Sequence, residues 1–223
     1  MKIGPDDLLL IIDVQNDFCP GGALAVADGD AVVPVVNRLA ERFDHVVLTQ
    51  DWHPAAHSSF ASSHPGAAPF SSITMPYGPQ TLWPDHCIQG TTGAALHRGL
   101  AADRAELVIR KGFRAAIDSY SAFFENDRTT PTGLAGYLRE RGLKRVVMAG
   151  LATDFCVQYS ALDARRLGFE TTVVLSGCRA IDLGGSLAVA TAAMREAGVA
   201  LVEEIAWAGQ AGAKTIVLTG LLF

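Results

Sequence analysis

Leu8-Leu9-Leu10-Ile11-Ile12-Asp13 sets five aliphatic side chains in a row and ends them on a carboxylate. An apolar run this short, without alternation, reads as a strand buried on both faces, the kind that parallel sheets use. The same reading extends outward to residues 45–49, 106–110, 145–151, 171–176 and 199–202, all rich in Val, Ile and Leu. Helical patterns lie between several of them. Residues 31–42 carry Val32, Val35, Val36 and Leu39 at helical spacing, and residues 132–141, 155–167 and 185–197 are closed by Gly142, Gly168 and Gly198. The alternation predicts one α/β domain over residues 1–208: three αβα layers around a doubly wound, mostly parallel sheet of about six strands. Residues 209–223 form a C-terminal segment, in which 214–219 reads equally as a seventh strand, an appendage or an expression scar.

In sheets of this type ligands bind beyond the carboxyl ends of the strands. Asp13 ends the first run. Lys111 ends Leu107-Val108-Ile109-Arg110. Cys156 follows Val146-Val147-Met148-Ala149-Gly150 by a few residues, where a helix begins. A carboxylate, an ammonium and a thiol therefore converge on one rim, which is the equipment of a cysteine-nucleophile hydrolase. A helix N-terminus and a buried lysine would both favour the thiolate. Each residue also has an ordinary role. Free cysteines are most often small buried hydrophobes, lysines at strand ends are mostly solvated, and Asp13 could cap a turn. The shared topological position is what singles the three out.

Residues 52–93 are rich in Pro, Ser, Gly and His, and a loop that long inside a compact domain is usually functional. Asp51 and His53, with His86 further on, form a set of one carboxylate and two imidazoles that suits Zn²⁺, Fe²⁺ or Mn²⁺. Spacing alone does not separate this from the ordinary polarity of loops. His57, His64 and Asp85 lie in the same stretch.

Bulk properties narrow the classes. The chain has 223 residues, 49% of them hydrophobic, enough for a sizeable core. A net charge of -5 without a basic run argues against nucleic acid or an anionic membrane as partner. No apolar run approaches the ~18 residues that span a bilayer. Acidic residues interrupt the N-terminus before any apolar stretch, unlike a signal peptide. The four cysteines, Cys19, Cys87, Cys156 and Cys178, then read as thiols in a cytoplasmic protein.

Read together, five segments resemble the nicotinamidase/pyrazinamidase family of the isochorismatase-like hydrolases. They are Asp13-Val14-Gln15-Asn16-Asp17-Phe18; Thr49-Gln50-Asp51-Trp52-His53-Pro54 with His57-Ser58-Ser59-Phe60; Leu82-Trp83-Pro84-Asp85-His86-Cys87; Arg110-Lys111-Gly112 with Asp118-Ser119-Tyr120-Ser121-Ala122-Phe123; and Gly150-Leu151-Ala152-Thr153-Asp154-Phe155-Cys156-Val157. They occur in order between about residues 8 and 203. The resemblance implies a catalytic triad of Asp13, Lys111 and Cys156 and a thioester intermediate. It implies an oxyanion hole from the backbone N–H groups of Ala152 and Cys156, beside a cis Leu151–Ala152 peptide. It also implies one divalent metal, zinc first and iron or manganese next, on Asp51, His53 and His86, with His57 outside the ligand set. Phe18, Leu24, Trp83, Tyr120 and Leu151 would pack a pyridine ring. The expected activity is hydrolysis of nicotinamide to nicotinate and ammonia in NAD salvage, with pyrazinamide as a surrogate and homo-oligomer formation left open. Relatives acting on ureido or carbamoyl substrates generally lack the metal residues. A non-catalytic binding protein would be expected to have lost a triad member. A bare isochorismate hydrolase uses no cysteine nucleophile.

Overall fold

In the computed structural model, residues 3–205 are described. Strand β1 (Asp7–Ile12) is buried at every position, as its uninterrupted apolar run requires. β2 (His45–Asp51), β5 (Leu107–Lys111), β6 (Arg145–Leu151), β7 (Glu170–Arg179) and β8 (Ala200–Val202) complete a six-stranded sheet in the order β5-β2-β1-β6-β7-β8. Every neighbouring pair in it is parallel. Helices α1 (Val33–Ala40), α2 (Leu134–Glu140), α3 (Gln158–Arg166) and α4 (Ser186–Glu196) supply crossovers. α3 and α4 pack on each other, and α1 lies against β1 and β7. This is the doubly wound α/β architecture expected from the alternation of runs and helices.

The strand order reverses between β1 and β6, so the switch point where such sheets bind ligands lies there. A close approach holds it. Gly150, at φ 131°, packs so tightly that an added Cβ would sit 2.1 Å from the Ile12 carbonyl oxygen. The sheet core of Leu8–Ile12, Val146–Ala149 and their neighbours is sealed from water. Each such aliphatic side chain contributes about 1.5–3 kcal/mol of burial.

The structure departs from the sequence expectation in three places. The stretch 52–93 contains an antiparallel hairpin, β3 (Ser72–Met75) and β4 (Gly78–Thr81). Neither strand has an apolar run: β3 alternates exposed and half-buried positions, and the buried residue of β4 is the polar Gln80. β7 runs to Arg179, past a register shift between Met148 and Gly150 of β6. The helix expected to start at Phe155 is preceded by a wide turn over Thr153–Val157 with π-helical hydrogen bonding. The expectation for 209–223 lies outside the described residues.

Candidate active site

Asp13 follows β1 with a left-handed backbone (φ 48°) and is wholly buried. Thr49 of β2 fixes it: the Asp13 N–H donates to Thr49 Oγ1 at 3.1 Å, and that hydroxyl donates to Asp13 Oδ1 at 2.6 Å. Lys111 ends β5, pairs in register with Asp51 at the end of β2, and is also buried. Its ammonium donates to Asp51 Oδ1 (2.5 Å), to the Ser119 carbonyl (2.9 Å) and to Cys156 Sγ (3.4 Å). Those three acceptors use its three protons. Asp13 Oδ2 lies 2.8 Å from the same nitrogen, within ion-pair distance, yet accepts no directed hydrogen bond. That oxygen is therefore held by the ammonium's charge, with Cys156 on the same cation.

Charge decides the resting protonation. Burial, assisted by Asp51, lifts the Asp13 carboxyl above its ordinary value despite the nearby ammonium. Lys111 would be pulled down by burial, but Asp13 and Asp51 outweigh it and hold its pKa well above the ordinary lysine value. The Cys156 thiol is pushed well up, first by burial and then by Asp13 and Asp51. Sequence reasoning expected the lysine and the helix end to favour the thiolate. Lys111 does act in that direction, but burial and two carboxylates prevail, so the resting nucleophile is a thiol beside a base.

Next to this cluster lie Asp51, His53 and His86, whose ligand atoms fall within 4.8 Å of one another. His53 Nδ1 faces the Gly112 carbonyl at 2.9 Å, and His86 Nδ1 faces the Pro84 carbonyl at 2.8 Å. A carbonyl can only accept, so both Nδ1 atoms carry the proton and both Nε2 atoms present lone pairs. These Nε2 atoms sit 3.4 and 3.6 Å from Asp51 Oδ2, and His53 Nε2 is buried without a hydrogen-bond partner. Burial lowers the His53 pKa, but Asp51 outweighs it and raises it overall, the response of an imidazole beside uncompensated negative charge. Two buried carboxylates, Asp13 and Asp51, face one ammonium. A divalent cation fits both the donor set and the surplus charge.

His57 packs on His53, ring centroids 4.4 Å apart, but its nitrogens are committed. Nδ1 accepts from the Ser59 N–H (3.2 Å), and Nε2 faces the Arg114 and Ile117 carbonyls at 2.9 and 3.2 Å. His64 Nε2 faces the Ser58 carbonyl at 2.8 Å. Asp85 accepts from the Ser62 hydroxyl at 2.5 Å.

Beside Cys156 is a small pocket of about 20 Å³, little more than the room one water needs. Phe18, Leu24, Trp83 and Tyr120 line it, together with Asp51, His86 and Ala152. Leu151, expected there, does not line it. As the last residue of β6 it is buried and lies near Gly29 instead. The Leu151–Ala152 peptide is cis. Phe155, one of the aromatics that crowd the motif segments of the sequence, lines the cavity as well. Sequence reasoning missed Asp118, Ile181 and Gln80, of which the first two also line it. Gln80 of β4 stands behind it, donating to Asp118 Oδ2 (2.8 Å) and to the Tyr120 hydroxyl (2.9 Å), which also receives the Trp83 N–H at 3.0 Å. A larger groove of about 810 Å³ on the far side of Tyr120 is lined by no thiol, imidazole or lysine, and is set aside on chemistry.

Against known proteins, the Isochorismatase domain family matches residues 7–206. The chain is 54% identical over 199 residues to the nicotinamidase of Acinetobacter baylyi, covering 89% of this chain and 93% of that one. Among solved structures it superposes on an Acinetobacter baumannii nicotinamidase/pyrazinamidase with a TM-score of 0.89 and 55% identity, covering 90% and 97% of the two chains. A pyrazinamidase of Pyrococcus horikoshii, solved in complex with zinc, matches with a TM-score of 0.72 and 34% identity, covering 89% and 99%.

Proposed function

The chain belongs to the isochorismatase-domain family, among amidohydrolases that act on a carboxamide, and from that premise we propose that it is a nicotinamidase: nicotinamide and water give nicotinate and ammonia. Pyrazinamide, the same carboxamide on a diazine, is the expected surrogate. The observation that carries this reading is one buried cluster in which the Lys111 ammonium lies 2.8 Å from Asp13 Oδ2 and 3.4 Å from Cys156 Sγ, beside Asp51, His53 and His86.

In this mechanism Asp13 takes the Cys156 proton as the sulfur attacks the carboxamide carbon. The carbonyl π pair moves to oxygen, which the N–H groups of Ala152 and Cys156 stabilise. Collapse of the tetrahedral intermediate breaks the C–N bond, and Asp13 passes its proton to the departing nitrogen. Ammonia leaves and a thioester remains. Asp13 then draws a proton from a water whose oxygen attacks the thioester carbon; the C–S bond breaks, the carboxylate product leaves, and the proton on Asp13 returns to the sulfur. Lys111 holds base, nucleophile and Asp51 in register throughout.

Asp51, His53 and His86 would hold one divalent ion, zinc by the imidazole-rich donor set and by the zinc complex of the Pyrococcus relative. Such an ion supplies a Lewis-acidic anchor for the ring nitrogen. Phe18, Leu24, Trp83 and Tyr120 would flank the ring. A cytoplasmic location and a place in NAD salvage belong to the same reading. Among the described residues, no helix is long and apolar enough to cross a membrane.

The test is ammonia release from nicotinamide by the purified protein, with and without chelator, beside Cys156→Ala. Activity in the unsubstituted protein alone, falling on chelation, supports nucleophile and metal together. Full activity in Cys156→Ala would discard the mechanism.

A further inference from the structure

The turn that carries Cys156 also carries a buried carboxylate with no part in the chemistry above. Asp154, two residues before the thiol, is 3% exposed. Its Oδ1 accepts the Ile181 N–H at 3.0 Å. Its Oδ2 accepts the Asp182 N–H at 2.8 Å and the Ser186 hydroxyl at 2.5 Å. One side chain thus collects three donors from the segment joining β7 to α4. That segment is sharply bent: Asp182, Gly184 and Gly185 all have left-handed backbones (φ 53°, 60° and 86°). Asp182 Oδ1 in turn accepts the Leu187 N–H at 3.1 Å, at the start of α4. The segment is docked onto the nucleophile turn by directed bonds.

What this docking delivers to the cavity is Ile181. Its side chain lines the space beside Cys156 with Leu24 and Phe155. It is partly exposed, so it borders solvent as well as the cavity. Isoleucine is β-branched and stiff at χ1, hence a poor candidate for swinging aside. The backbone N–H that orients it is the one Asp154 holds. Ile181 is thus one wall of the pocket beside Cys156, and a ring substituent directed at that wall meets its stiff side chain.

We propose that Ile181 is the specificity-determining ceiling of the pocket, excluding carboxamides whose aromatic ring carries a substituent. Asp154 is the positioning residue that holds this ceiling in place beside Cys156. The substrate class rests on the amide-hydrolase reading above; the ceiling itself rests on the hydrogen bonds and the cavity.

Two measurements test it, each with metal content and melting temperature followed in parallel. The first is kcat and KM for nicotinamide, 5-methylnicotinamide and 6-methylnicotinamide in the unsubstituted protein, Ile181→Ala, Ile181→Val and Asp154→Asn. For at least one methylated substrate, Ile181→Ala should raise kcat/KM relative to nicotinamide by roughly tenfold or more, mostly through KM, since a methyl group in a pocket is worth about 10–200-fold. Ile181→Val should move the ratio less, in the same direction. Asp154→Asn should relax the ratio too, and adding Ile181→Ala to it should gain less than the product of the single effects. The second needs no substrate: the rate at which Cys156 is alkylated by N-phenylmaleimide relative to iodoacetamide, followed by peptide mass spectrometry. Ile181→Ala should raise that relative rate several-fold. Unchanged ratios in both assays, in folded Ile181→Ala, overturn the ceiling. Equal losses on all three substrates in Asp154→Asn reduce Asp154 to a structural support and overturn its positioning role. An unsubstituted protein that releases no ammonia from nicotinamide, yet shows the alkylation effect, sinks the substrate reading and keeps the ceiling.

Discussion

The Lys111 ammonium lies 2.5 Å from Asp51 Oδ1 and 3.4 Å from Cys156 Sγ, so one cation joins the nucleophile to the carboxylate of the candidate metal centre. All of these groups are buried. Removing the cation leaves two uncompensated carboxylates, which typically costs about 3–5 kcal/mol. Lys111→Met is therefore expected to lower stability by about that amount and kcat by at least about a thousandfold. Chemical denaturation with steady-state kinetics checks both. A variant as stable and as active as the parent would show that the bridge is incidental.

Gly112 makes room for a candidate ligand without being one. It has φ 65°, and an added Cβ would sit 2.4 Å from His53 Cε1. Gly112→Ala should therefore displace the His53 imidazole and lower bound metal, as His53→Ala should. His57→Ala should keep metal, because both His57 nitrogens are already committed. Metal stoichiometry by elemental analysis decides. Full loading in Gly112→Ala and His53→Ala, or an empty His57→Ala, would overturn the ligand assignment.

The pH profile follows from burial. Asp13 must be ionised to accept the thiol proton, and burial raises its pKa above the ordinary 3.8. As pH falls through that raised value the carboxylate is protonated and kcat/KM drops. The Cys156 thiol sits well above its ordinary 9.0, so loss of the proton it supplies begins only in strongly alkaline solution. The expected profile is an acid limb displaced upward from the ordinary carboxylate range, with no alkaline fall until strongly basic solution. Activity rising through pH 7–8 with thiol ionisation would favour a preformed thiolate and contradict this order of events.

Gln80 is tied to the pocket from outside. Its amide donates to Asp118 and to Tyr120, and its Oε1 accepts from Asn126 at 3.1 Å. Gln80→Leu leaves Asp118 and Tyr120 short of a donor and Asn126 short of an acceptor, at a cost of about 1–3 kcal/mol. The wall residue Tyr120 then loses an anchor, and KM for nicotinamide should rise more than kcat falls. A pure loss of kcat at constant KM would assign Gln80 to another role.

Much of the site could be read before folding was considered. Asp13 and Lys111 each end an apolar run, and Cys156 opens a turn after one. Parallel sheets direct strand ends of this kind to one rim, so residues about 100 and 45 positions apart could be grouped by rule. Gln80 and Ile181 carried no such mark. One lies on a short polar strand and the other in a loop, and only contacts distant in sequence give them a place. The hairpin escaped for the same reason, since its strands are half exposed and the buried residue of β4 is polar, which leaves no apolar pattern.

The sequence by itself determined the doubly wound sheet, the rim and the chemical identity of the side chains on it, because hydrophobic periodicity and chain connectivity are local properties. Tertiary structure alone decided how those side chains share protons. The strand order sets β5, β2, β1 and β6 side by side, and that adjacency makes Lys111 serve Asp51 and Cys156 at once. It also decided that the thiol rests protonated. Burial and the sum of neighbouring charges fix a pKa, and both belong to the packed chain and not to any segment of it.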